Sequence, residues 1–156
     1  MKKFFVMLVA MLATAVSFVS CSDEEEIDVI ESMVGTYEGK ASMSVMVNEE
    51  ENDLGDYATV VKLSRFGETS LNISINTFGK DHYTMPDIDV VGASVKELVD
   101  GVALISPTPF EAVFNNVVYE GTIQGSYSNG NLELTMSIKP GKMPMPITVV
   151  FKSKVQ

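Results

Sequence analysis

The chain has 156 residues, of which 21 are acidic and 11 basic, with one histidine, one cysteine and no tryptophan. A chain this acidic repels nucleic acid and anionic membrane surfaces. A single cysteine excludes an internal disulfide framework and any Cys/His metal spacing.

Lys2 and Lys3 open a short basic region, and Phe4 to Val19 follows as a nearly unbroken apolar stretch. That stretch is shorter than the roughly 20 residues that span a bilayer. Its basic start and the small Ser20 before Cys21 mark residues 1–20 as an export signal. Cys21 sits where the bacterial lipoprotein pathway would acylate, which predicts a lipid anchor; the alternative is an ordinary signal peptide with a cysteine nearby. Lys2 and Lys3 leave with the signal, so 9 basic and 21 acidic residues remain, a formal charge of −12. Six acids fall between Asp23 and Glu31 and five between Glu49 and Asp56, so the other ten nearly balance the nine bases. Residues 21–33 read as an acidic tether with little to bury, in which disorder is expected. The remaining segment, 34–156, suits one domain.

From Tyr37 onward the dominant pattern is period-2 alternation, which places alternate side chains on opposite faces of a strand. Tyr37, Gly39, Ala41, Met43 and Val45 share the apolar face of the first run. Val61 and Leu63 point inward in the second, and Leu71-Asn72-Ile73-Ser74-Ile75 alternates cleanly. Ile88 and Val90 oppose Asp87 and Asp89. Phe110, Ala112 and Phe114 form one face of the next run. Tyr119-Gly121-Ile123-Gly125-Tyr127, Leu132-Leu134-Met136-Ile138 and Ile147-Val149-Phe151 complete the set. Asn129-Gly130 predicts a two-residue hairpin turn, Gly67 serves an earlier hairpin, and Pro140-Gly141 ends a strand. Pro144 and Pro146 mark an extended loop. Residues 94–101 carry a capping-box spacing, Ser94 to Glu97, but also β-branched Val95 and Val99; a strand or bulged strand is the preferred reading over a helical turn.

Eight to nine short-linked strands predict an all-β antiparallel meander. Closure into a lipocalin-like barrel of about eight strands removes its edges; a two-sheet sandwich is the competing fold. Gly35-Thr-Tyr-Glu-Gly at the start, the Gly-rich run from Tyr119, the Asn129-Gly130 hairpin and the final Ile147–Phe151 strand together resemble the calycin-like β-barrel lipoproteins of gut Bacteroidetes. The resemblance covers most of 34–156 and is strongest from Tyr119 on. The Ser-Asp-Glu-Glu-Glu run after Cys21 resembles the acidic signal that sends such lipoproteins to the outer face of the outer membrane, with a periplasm-facing location as the alternative. The resemblance implies a small barrel and brings no catalytic residues.

The residues themselves offer little chemistry. His82 reads as a solvated loop histidine, and no Gly-x-Ser-x-Gly nucleophile motif is present. Asn48–Asp56 reads as a solvated acidic hairpin loop, in which Glu49, Glu51 and Asp53 are a weak calcium candidate without EF-hand spacing. No cofactor is implied. The expectation is a non-catalytic binding module anchored to the membrane, taking a small apolar or amphipathic ligand or an envelope protein. Its candidate contacts are Tyr37, Met43, Tyr119 and Tyr127 in the barrel interior, and Met143 and Met145 at the mouth. The alternatives are a filled barrel that works through its outer face and loops, and a hydrolase-type enzyme.

Overall fold

The computed structural model describes residues 28–99 and 101–154. The export signal, Cys21 and most of the acidic tether lie outside the described residues. Eight strands follow in chain order: β1 Gly35–Val47, β2 Glu50–Arg65, β3 Ser70–Ile75, β4 Ile88–Val99, β5 Val102–Phe114, β6 Val117–Ser128, β7 Asn131–Pro140 and β8 Ile147–Ser153. Each pairs antiparallel with the next, and β8 pairs with β1, so the meander closes into a barrel and the sandwich is excluded.

Alternation decides which side of each strand is inside. In β7, Leu132, Leu134, Met136 and Ile138 are buried, while Asn131, Glu133, Ser137 and Lys139 are exposed. In β1, Tyr37, Ala41 and Met43 are buried and Thr36, Glu38, Lys40 and Ser42 are exposed. Residues 94–99 are strand, the C-terminal half of β4, with an irregularity between Glu97 and Val99.

Hairpin turns need positive φ at both central residues. Asn129 (φ 47°) and Gly130 (φ 91°) meet that need, as do Asn48 (52°) with Glu49 (66°) and Asn115 (50°) with Asn116 (62°). The Asn48–Glu49 turn corrects one expectation. The acidic segment 48–56 is not a long hairpin loop. It is a two-residue turn followed directly by β2, with Val47 opposite Glu50 and Met46 opposite Glu51. These residues are exposed on both faces, so they show no alternation, and that hid the strand.

The tether expectation is also corrected at its C-terminal end. Val29–Met33 forms a single helical turn, α1, whose Ile30 N–H donates to the Asp28 carboxylate at 3.0 Å. Ile30 and Met33, three apart on one helix face, are buried in the core. A five-residue helix inside an acid-rich stretch is too short to give a visible period.

The strands define two ends. Near one lie α1, the turn at 66–69, the 129–130 turn and the end of β8. At the other lie the 48–49 and 115–116 turns and the longer segments 76–87 and 141–146. Segment 76–87 contains a 3-10 turn at Asp81–Tyr83 and buries Phe78 and Met85, which pair across an isolated bridge. β4 and β5 pair only over Val95–Val99 and Val102–Ile105, so beyond Ile105 the strand β5 has no β4 partner. Pro107 sits at the β5 irregularity and Pro109 just past it, positions where a missing N–H does least harm.

Inward glycines do not leave an empty centre. A Cβ added to Gly39 would strike the Lys152 carbonyl oxygen and lie 2.8 Å from the Phe151 ring. At Gly121 it would lie 2.6 Å from the Phe110 ring, and at Gly125 2.7 Å from Leu134 Cδ2. Each glycine is the hollow into which a large neighbour folds. Gly39→Ala is therefore expected to lower stability by about 1–3 kcal/mol. Gly67→Ala, with nothing within 4 Å of the new atom, serves as the matched control and should stay within about 0.5 kcal/mol of wild type. Urea midpoints of the two variants check the difference.

Candidate functional site

Sequence reasoning placed a ligand among Tyr37, Met43, Tyr119, Tyr127, Met143 and Met145. The structure engages these side chains with the protein itself. Met43 is 1% exposed within the core. The Tyr37 hydroxyl donates to the Met33 carbonyl at 2.6 Å, and the Tyr127 hydroxyl to the Ser32 carbonyl at 2.7 Å. Both fasten α1 across its end of the barrel. Burial, and then the neighbouring Tyr127, push the Tyr37 hydroxyl up to about 12. At the opposite end the Tyr119 hydroxyl faces the Thr84 carbonyl at 3.5 Å, reaching the 76–87 segment. Met143 packs against the core from the proline-rich loop, and Met145 is half-buried beside it.

The interior between these ends is lined by fully buried apolar side chains, among them Phe151, Leu63, Ile73, Ile123 and Leu132. The buried polar side chain Thr59 donates to the Asn76 carbonyl at 2.9 Å. The clefts lie on the outer wall and at the rim. One of about 400 Å³ crosses β4–β7 beside Pro107, lined by Lys96, Leu104, Gln124 and Glu133. One of about 340 Å³ lies by the β1–β2 hairpin. A third, of about 830 Å³, opens between α1 and the end of β4.

The other candidates stay apart. His82 is exposed on the 3-10 turn. Glu49 sits in a turn, while Glu51 and Asp53 are exposed on β2, where the Asp53 carboxylate accepts the Gly55 N–H at 2.8 Å. Among the described residues, no group of three or more His, Cys, Asp or Glu side chains is placed to hold a metal ion. Asp87 and Asp89 have structural partners: Asp87 accepts from the Thr77 N–H and hydroxyl at 2.7 and 2.9 Å, and Asp89 from the Ser74 hydroxyl at 2.6 Å. The notable pair missed in the sequence is Asp28–Arg65, reinforced by Glu31 at 3.5 Å. The hydrogen bond from Arg65 holds the Asp28 carboxyl below its ordinary value. These residues are 37 apart in sequence, and no local pattern joins them.

The closed eight-stranded meander agrees with the family whose model matches residues 33–154, the calycin-like beta-barrel domain. The chain belongs to the calycin-like β-barrel family. This calycin-like barrel is similar to the crystal structure of "a putative outer membrane protein (BF2706) from Bacteroides fragilis NCTC 9343", at 25% identity and a TM-score of 0.61. The match covers 82% of this chain and 53% of that protein, so the barrel spans about half of the larger molecule. A weaker likeness, TM-score 0.37 at 10% identity, is to Rv2717c of M. tuberculosis, over 81% of this chain and 98% of that one. No curated protein matches the chain.

Calycin-like barrels are scaffolds for binding rather than for a shared chemistry, so function must be read from surfaces. The Tyr37 hydroxyl gives a pH test. Its folded value is raised above 10.0, so its stabilisation is complete below pH 10 and is lost as pH rises through about 12. Tyr37→Phe should cost about 1–2 kcal/mol at pH 7 by orphaning the Met33 carbonyl. It should also show a shallower loss of stability than wild type between pH 10 and 12, measured by urea midpoints across that range.

Proposed function

We propose that this calycin-like barrel is a lipoprotein of the gut Bacteroidetes kind, held at the outer membrane by a lipid on Cys21. It works there as a non-catalytic interaction module, through its outer wall and rims. The observation that carries this reading is the polarity of the barrel. Its inner face is apolar and packed, and its outer face bears Thr36, Glu38, Lys40 and Ser42 on β1 and Glu133, Ser137 and Lys139 on β7. A membrane-spanning barrel has the opposite arrangement, apolar outside and polar within. Among the described residues no helix is long and apolar enough to cross a membrane. This reading assigns attachment to Cys21, and the acidic run that follows it favours the outward-facing leaflet.

The packed interior favours the outer-surface form of the reading over an internal small apolar ligand. The hydrolase alternative finds no support in His82, which stands exposed on its turn. Seven residues from Cys21 to Asp28 span at most about 25 Å when fully extended. The α1 end of the barrel would then face the membrane, and the 48–49 and 115–116 turns would face away.

The test is metabolic labelling with palmitate followed by fractionation of the native host. The full chain should carry label and sediment with the outer membrane, and Cys21→Ser should lose both properties. An unlabelled wild-type protein, or a Cys21→Ser variant that still sediments with membrane, contradicts the anchor.

A further inference from the structure

The 830 Å³ groove combines an apolar floor with carboxylates at its rim. Its floor is Ile30, buried, with Val29 and Val95, both half-buried and packed on the core. One wall is Leu98 and Val99, which remain 50% and 63% exposed at the end of β4. The facing wall is the Asp28–Arg65 pair. Arg65 is the basic side chain among the lining residues, and Asp28 and Glu31 already engage it. Glu68 and Glu97 stand exposed at the rim, and among the described residues neither has an ion-pair partner.

We propose that this groove binds a cationic amphipathic peptide segment, its apolar side chains on Val29, Val95, Leu98 and Val99 and its Lys or Arg groups beside Glu68 and Glu97. This deepens the outer-surface reading given above and rests on it. An open groove covers one face of an occupant, as peptide docking requires, whereas small-molecule sites enclose most of their ligand. Charge complementarity selects the occupant. The chain's own preceding segment carries Asp23, Glu24, Glu25 and Glu26, which repel the same rim. A second copy brings the same acidic surface. A basic segment gains from the carboxylates of Glu68 and Glu97.

The experiment uses the mature chain, residues 21–156 with Cys21→Ser, and fluorescence anisotropy with three labelled dodecamers: Lys/Leu, Lys/Ser and Glu/Leu. The Lys/Leu peptide is expected to bind saturably and at least tenfold more tightly than either of the others. Glu68→Lys with Glu97→Lys should weaken it at least tenfold, and Leu98→Ser with Val99→Ser should weaken it similarly. Glu49→Lys with Glu51→Lys, the same charge change at the far end of the barrel, should leave it within twofold. All these positions are exposed, and Glu68→Gln with Glu97→Gln provides a milder pair should the reversal perturb folding. Failure of Lys/Leu to bind overturns the proposal. So does equal weakening by the far-end pair, which indicates attraction to net charge alone. A concentration-dependent dimer abolished by Leu98→Ser assigns the groove to a second copy and overturns it too. Each of these outcomes leaves the Cys21 anchor test unaffected, so failure of the groove and failure of the parent reading are distinguishable.

Discussion

Closing a small barrel requires its inner side chains to fill a narrow tapering space without voids or clashes. Here the requirement is met by placing glycine on one strand where a neighbouring strand supplies bulk. Gly39 receives the Phe151 ring, Gly121 the Phe110 ring and Gly125 the Leu134 side chain. Interiors packed at this density respond to a single added methyl group. The inward glycines, which in isolation suggest room for a guest, are what allow the protein's own aromatics to occupy the centre.

The ends follow the same logic. α1 contributes Ile30 and Met33 to the core, and two tyrosine hydroxyls bind its backbone carbonyls. At the other end Phe78 and Met85 descend from the 76–87 segment. One plug is a single helical turn whose Met33 and Ser32 carbonyls accept from tyrosine hydroxyls, and the other is an irregular segment in which Phe78 and Met85 exchange backbone hydrogen bonds. The centre and the ends are occupied by this chain's own side chains, and the proposed reading therefore places recognition on the outer wall and rims, where Leu98, Val99, Val113 and Phe114 stand exposed.

The barrel was legible because its signal is local and periodic. Leu132 to Ile138 and Tyr119 to Tyr127 alternate without interruption, and Asn129-Gly130 names its own turn. Residues 94–99 also read correctly as strand, since β-branched Val95 and Val99 outweighed the Ser94–Glu97 spacing. What escaped was tertiary. The β1–β2 extension is wet on both faces, so no pattern distinguished it from a loop. Helix α1 is a single turn whose reason to exist is the barrel end beneath it. The Asp28–Arg65 pair and the groove beside it join α1, the 66–69 turn and the end of β4, which meet only after closure. Of the Tyr and Met candidates, Tyr37, Met43, Tyr119 and Tyr127 are buried, and Met143 and Met145 are half-buried. Whether an inward residue lines a cavity or fills one depends on its neighbours across the barrel, and a linear sequence does not give those.

The central claim is that the barrel interior belongs to the protein and not to a ligand. Native mass spectrometry of the protein purified from its own host measures this directly. The account predicts the mass of the mature polypeptide plus its N-terminal lipid, with no small molecule held inside the barrel. A further small molecule bound at one equivalent, and retained when the outer groove is disabled by Leu98→Ser with Val99→Ser, would contradict it.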